Sequence, residues 1–226
     1  MCGRFTLTTP ADAIADLFAL AMVPELSPRY NIAPSQPVAA VRERDGERRL
    51  DLLRWGLVPS WAKDPAIGNR MINARAETVA DKPAFRAAFR ERRCLIPATG
   101  FYEWKRTEAT KQPYLVTAAG DGLLALAGLW ELWRVPDGGR LETCTIITTS
   151  ANDLVAPIHD RMPVILERHD FDLWLTPTTE SDRLLQLLRS CDSSALAARP
   201  VSTYVNTPRN DDPRCIEPPG TSASQP

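Results

Sequence analysis

RCLIPATGFYEWK, residues 93–105, decides the fold. It is apolar and aromatic, and a Thr-Gly pair breaks it in the middle. Three further segments of the same character follow, QPYLVTAA (112–119), GLLALAGLWELWR (122–134) and ETCTIITTSA (142–151), with MPVIL (162–166) as a shorter one. β-Branched and aromatic content between turn-type flanks reads as strand. Upstream, QPVAAVRER (36–44) and RRLDLLRWGLV (48–58) read as two strands around the turn DGER. Four segments read as helices: TTPADAIADLFAL (8–20), DKPAFRAAFRERR (81–93), HDFDLWL (169–175) and TESDRLLQLLRSC (179–191). In the first, Thr9 is the expected N-cap, Pro10 suits the first turn, and Ile14, Leu17 and Phe18 share a face. In the second, Asp81 lies near the cap and Phe85 and Phe89 stand four apart. SPRYNIAPSQP (27–37) reads as a loop, and VSTYVN (201–206) is expected to close the sheet. The expectation is a single-domain α+β fold with a largely antiparallel, barrel-like β core and flanking helices, spanning 2–217, with 218–226 a disordered tail.

Composition narrows the function. The chain has 226 residues, room for one sizeable domain. Its 27 Lys+Arg and 28 Asp+Glu leave a net charge of −1, so any nucleic-acid site must be a local basic patch. No apolar run of about 18 residues or signal-peptide core is present, which excludes a transmembrane helix and places the chain in the cytoplasm. Five widely spaced cysteines and two histidines without metal-ligand spacing argue against a disulfide framework and against a metal, and no cofactor is implied.

Several residues are candidates for chemistry. Cys2 stands directly behind Met1. With Met1 removed it carries an α-amine and a thiol on adjacent carbons, which no internal cysteine offers. Gly3 permits close backbone approach, and the Arg4 charge is expected to favour thiolate. His159, in APIHDRMPVIL, titrates near neutrality and suits general acid/base work. In FYEWK a two-residue period puts Phe101 and Glu103 on one face and Tyr102 and Trp104 on the other. A glutamate facing inward beside an aromatic is either ion-paired or has a raised pKa. The long irregular stretch 58–78 carries Trp61, Arg70, Asn73 and Arg75, and such loops are often functional. Asparagine brings neutral donors and an acceptor, and arginine a fork for phosphate. Arg70, Arg75, Lys82, Arg86, Arg90, Arg92 and Arg93 form the expected local patch. Trp55 reads as core, while an exposed Trp61 is suited to base stacking.

In order, MCGRF, YNIAPSQ, RWGLVPSW, NARAET, RCLIPATGFYEW, HDRMPVIL and PRNDDPRCIEP resemble the SOS response-associated peptidase family, whose members shield abasic sites in single-stranded DNA. The resemblance runs from Cys2 to about Glu217. It implies a compact α+β domain around a β-barrel-like core, with Cys2 as nucleophile and Asn73, Glu103 and His159 as the other catalytic positions. It further implies a thiazolidine crosslink between Cys2 and the abasic sugar. Arg4, Arg75, Arg70, Trp61 and Arg161 are the expected DNA-binding residues. The expected partner is single-stranded DNA containing an abasic site, bound by a monomer that is nucleoid-associated when on DNA. Two other readings stand beside this one, a cysteine peptidase using Cys2 and His159, and a non-covalent single-stranded DNA-binding module.

Overall fold

A computed structural model describes residues 2–108, 110–120, 122–135 and 138–220. Its elements run β1 (Phe5–Leu7), α1 (Ala11–Phe18), β2 (Arg29–Ile32), β3 (Pro37–Arg44), β4 (Glu47–Trp55), β5 (Asn73–Arg75), α2 (Arg86–Glu91), β6 (Arg93–Ala98), β7 (Gly100–Arg106) and β8 (Lys111–Ala118). They continue with β9 (Leu124–Arg134), β10 (Arg140–Ser150), β11 (Arg161–Pro163), α3 (Phe171–Leu175), α4 (Ser181–Leu187) and β12 (Leu196–Pro200). Strands β10, β4, β3, β6 and β9 pair in that order, and β9 pairs back onto β10, so five strands close into a barrel. Every barrel pairing is antiparallel except β4 with β10. A second, wholly antiparallel sheet has the order β12-β8-β7-β1-β2.

RCLIPATGFYEWK joins the two sheets. Its first half is β6 in the barrel, its second half is β7, and Thr99 is the corner between them. The Thr99 amide donates to the Thr6 carbonyl (2.8 Å), and its hydroxyl accepts from the Thr8 amide (2.9 Å). Phe5 on β1 meets Trp55 on β4 edge to face at 5.3 Å between centroids, so the core continues from one sheet into the other. In the barrel, β9 passes tightly over β6. A Cβ on Gly128 would lie 2.9 Å from the Cys94 sulfur, which leaves room there for glycine alone.

Local readings differ from the structure at several places. Pro10, not Thr9, occupies the α1 N-cap, because the Thr9 hydroxyl is drawn to the Thr99 hydroxyl at 2.8 Å. The 81–93 helix shrinks to Arg86–Glu91, preceded by turns in which the Phe85 and Arg86 amides both bond the Lys82 carbonyl. Arg93, expected in a basic patch, is instead buried at the start of β6. Its guanidinium donates to the Phe89 (2.7 Å), Trp174 (2.6 Å), Thr176 (2.5 Å) and Arg90 carbonyls, tying the ends of α2 and α3 to the barrel. Burial pushes its pKa down to about 10. The second sheet ends in β12 rather than VSTYVN, and Thr203–Asn206 form a 3-10 turn. The tail expected to be disordered lies outside the described residues from 221 on.

Candidate active site

The amino terminus is threaded along β7. Phe5 pairs with Phe101, and the Tyr102 amide donates to the Arg4 carbonyl at 2.9 Å. Continuing this antiparallel register sets Gly3 opposite Glu103, and Cys2 lies close enough for the Glu103 charge to act on its thiol. The two-residue period of FYEWK holds. Phe101 joins the main core with Cys2, whereas Tyr102 belongs to a second cluster with Val201, Val205 and Cys215. Glu103 therefore faces the Cys2 side and is 2% exposed. Desolvation raises its carboxyl pKa to about 7, so near neutrality it exchanges a proton readily. Cys2 is fully buried. Burial first, and the Glu103 charge second, push its thiol well above the ordinary range. The expectation that Arg4 would favour thiolate is not met. The Arg4 guanidinium turns away to Asn31 Oδ1 (2.7 Å) and the Val205 carbonyl (2.9 Å).

These contacts belong to a clamp between SPRYNIAPSQP, which reads as a loop, and the segment around 205–211. Asn31 is buried and donates its amide to the Val205, Thr207 and Asn210 carbonyls at 3.1, 3.1 and 2.7 Å. Asp211 accepts from the Tyr30 and Asn31 backbone amides (2.6 and 2.8 Å) and pairs with Arg29. Tyr102 Oη donates to the Tyr30 carbonyl (2.7 Å), and Trp104 Nε1 to Asn206 Oδ1 (2.7 Å). The YNIAPSQ and PRNDDPRCIEP blocks thus lock onto each other, and Arg4 is held by Asn31 and Val205 beside them, fixing the segment that carries Cys2.

His159 closes a turned segment that Asn152 organises, its Oδ1 accepting from the Val155 amide at 3.1 Å. The His159 amide donates to the Val155 carbonyl (2.9 Å), and its Nδ1 accepts from the Arg161 amide (3.0 Å). Burial lowers its pKa, so the ring is neutral at pH 7. With Nδ1 accepting, the ring proton sits on Nε2. Asp160 Oδ1 also lies 3.0 Å from Nδ1, a contact that becomes an ion pair only in the protonated ring. Glu103 and His159 line one cleft of about 600 Å³, together with Trp104, Lys105, Arg106 and Lys111. The three cations come from the β7–β8 hairpin, where Arg106 pairs with Lys111. Sequence reasoning missed them. Their signal was the alternation that continues past Glu103, which sets Lys105 on the Glu103 side.

Asn73 opens β5, which runs parallel to β10 with Asn73 beside Ile146 and Arg75 beside Thr148. Its approach is fixed by Trp55 Nε1 donating to the Ile72 carbonyl (2.8 Å). It is also fixed by the close passage of Gly56 (φ 128°) over Gly68, where a Cβ on Gly56 would come within 2.7 Å of the Gly68 oxygen. Both polar atoms of the Asn73 amide are buried without a hydrogen-bond partner among the described residues. Buried amides are nearly always satisfied, so this one is unusual. Arg75 is exposed. Arg161, next on β10 at Ser150, is committed to Glu77 at 2.6 and 2.9 Å and to the Thr148 carbonyl at 2.6 Å. Glu77 is held below the usual carboxylate range by that arginine. Trp61, 59% exposed, and Arg70 share a separate hollow of about 330 Å³ with Lys63. No group of three or more His, Cys, Asp or Glu among the described residues could hold a metal ion, and no helix there is long and apolar enough to cross a membrane.

A family model described as SOS response associated peptidase (SRAP) matches residues 1–208. The chain belongs to the SRAP family. Among SRAP relatives, abasic site processing protein YoqW of Bacillus subtilis is 48% identical over 222 residues, covering 96% of this chain and 99% of that protein. Abasic site processing protein HMCES of Gallus gallus is 36% identical over 227 residues, covering 84% of this chain and 66% of the relative. The crystal structure of a Bacteroides thetaiotaomicron protein superposes with a TM-score of 0.87 at 26% identity, covering 96% of this chain and 99% of that one.

Proposed function

We propose that this SRAP chain processes abasic sites, capturing the lesion in single-stranded DNA as a covalent adduct of Cys2. The observation that carries the reading is the pairing of a buried Cys2 with a Glu103 carboxyl whose pKa is about 7. The family and its relatives named for abasic site processing support it. The reading requires Cys2 to be the first residue of the mature chain.

The α-amine of Cys2 adds to the open aldehyde of the abasic sugar, and loss of one water gives an imine. The Cys2 thiol then adds to the same carbon, its proton passing to the nitrogen, and a five-membered thiazolidine results. Amine and thiol share one residue, so the second step is intramolecular. Glu103 takes the proton from the attacking ammonium and returns one to the departing hydroxyl, roles that suit a group titrating near 7. Neutral His159, with its proton on Nε2, donates to the sugar ring oxygen as the ring opens. The unpartnered Asn73 amide holds the sugar. Arg75, Arg70 and the hairpin cations Lys105, Arg106 and Lys111 hold flanking phosphates, and Trp61 stacks a base. Arg4 and Arg161 are engaged by protein acceptors, so in this reading they add to the field of the cleft rather than contacting phosphate.

The buried thiol favours this reading over a cysteine peptidase. A peptidase nucleophile works as thiolate, and burial beside Glu103 disfavours that form. A thiol that waits for an imine has no such need. The test incubates the protein with a single-stranded oligonucleotide carrying one abasic site and separates the products under denaturing conditions. Cys2→Ala is expected to give no stable adduct and Cys2→Ser only a reversible one. A denaturation-resistant adduct from Cys2→Ala would refute the chemistry.

A further inference from the structure

Away from the Glu103 cleft, a hollow of about 500 Å³ opens where β3, β4, β9 and β10 meet, lined by Arg44, Leu52, Arg54, Leu132, Arg140 and Glu142. Its one carboxylate is already used, because Glu142 pairs with Arg42 at 2.9 Å and Arg44 at 2.6 Å. Among the described residues no carboxylate pairs with Arg54, Arg134 or Arg140. Arg134 and Arg140 stand directly opposite each other in the β9–β10 ladder. Like charges at that position destabilise a sheet, and an external anion would relieve them. Leu52 is 58% exposed beside these cations.

The hollow is continuous with the residues that the preceding reading places on DNA. Arg54 donates to Asn69 Oδ1 at 3.2 Å, and Asn69 adjoins Arg70 in the Trp61 hollow. The same segment runs on to Asn73 and Arg75. Strand β10 spans this path, from Arg140 at one end, past Thr143 beside Arg54, to Thr148 beside Arg75. Eight residues of strand cover at most about 27 Å, the rise of roughly eight nucleotides in a duplex strand.

We propose that Arg54, Arg134 and Arg140 form a second nucleic-acid backbone site, which takes phosphodiesters several nucleotides away from the lesion. The ligand class follows from the guanidinium forks, none of them paired with a carboxylate among the described residues, which suit phosphates. The inference rests on the abasic-DNA reading and extends it to the length of DNA engaged.

The test uses Arg54→Ala/Arg140→Ala, both substitutions being at partly or fully exposed side chains. Non-covalent affinity for a lesion-free single strand of about 25 nucleotides is measured by fluorescence anisotropy across stepped salt. Each lost phosphate contact lowers the salt slope by about 0.7, so a fall of about 1.4 is expected, with weaker binding at every salt concentration. Adduct yield on a five-nucleotide abasic oligonucleotide, too short to reach the hollow, is expected to stay at the wild-type level. An unchanged slope in the folded double variant overturns the proposal. So does tighter wild-type binding of poly-glutamate than of the long strand, if the variant loses it, since the surface would then take an acidic peptide. Absence of any wild-type adduct on the short oligonucleotide refutes the covalent reading, while the salt slope still reports on this surface.

Discussion

Glu103 carries the clearest residue-scale consequence. Its carboxyl titrates at 4.5 in an exposed setting and at about 7 in the fold. Below pH 4.5 folded and unfolded chains both hold the proton. Between 4.5 and about 7 only the folded chain keeps it, so stability declines as pH rises through that window and then levels off. Glu103→Gln removes the effect. Its melting temperature relative to wild type is expected to climb from pH 4 to pH 7, reflecting up to about 3 kcal/mol. Parallel pH profiles for the two proteins would show that Glu103 is not desolvated. The same variant is expected to slow adduct formation at least tenfold, through loss of proton transfer. His159 shifts in the opposite direction: burial lowers its pKa, which favours the neutral ring.

At the scale of elements, the clamp between β2 and the 203–217 segment governs whether Cys2 is delivered. Asp211→Ala strips acceptors from two backbone amides and from Arg29. A loss of about 1–3 kcal/mol is expected in denaturant titrations. The adduct rate should fall as well, while Asp211→Asn, which keeps one acceptor oxygen, recovers part of both. The long strands and the inward turn of Glu103 were legible because period-two alternation and aromatic content are local signals. The clamp was not. SPRYNIAPSQP reads as a loop from its prolines, yet Arg29–Ile32 become a strand because β1 and Asp211 supply their partners from far along the chain. Arg93 misled for a related reason. An arginine at the end of a basic helix looks solvated, and only the tertiary fold adds the Trp174 and Thr176 carbonyls to the local ones of Phe89 and Arg90. Cys2, Asn73, Glu103 and His159 could be picked out by type and neighbourhood. The buried state of the Cys2 thiol could not, because it depends on the packing of the amino-terminal segment against β7 and the core.

At the scale of the molecule, the closed barrel is a frame that holds distant segments at fixed offsets along β10. Arg42 is wholly buried in it, its guanidinium 4.4 Å from the Trp130 ring and paired with Asp51 and Glu142. Arg42→Ala would leave a cavity, an unpaired Asp51 and a Glu142 held by Arg44 alone, and a loss on the order of 3 kcal/mol is expected in thermal or chemical unfolding. Because β10 also seats β5 and β11, the variant that survives folding should lose adduct rate as well as stability. A destabilised variant with an unaltered rate would show that the site does not depend on the barrel.

The most direct measurement is the intact mass of the purified protein before and after incubation with a single-stranded oligonucleotide bearing one abasic site. The expected result is a chain that begins at Cys2, and after incubation a denaturation-resistant species with the mass of protein plus DNA minus one water. A folded chain that begins at Cys2 and gains no such mass would contradict capture of the lesion by the amine and thiol of Cys2.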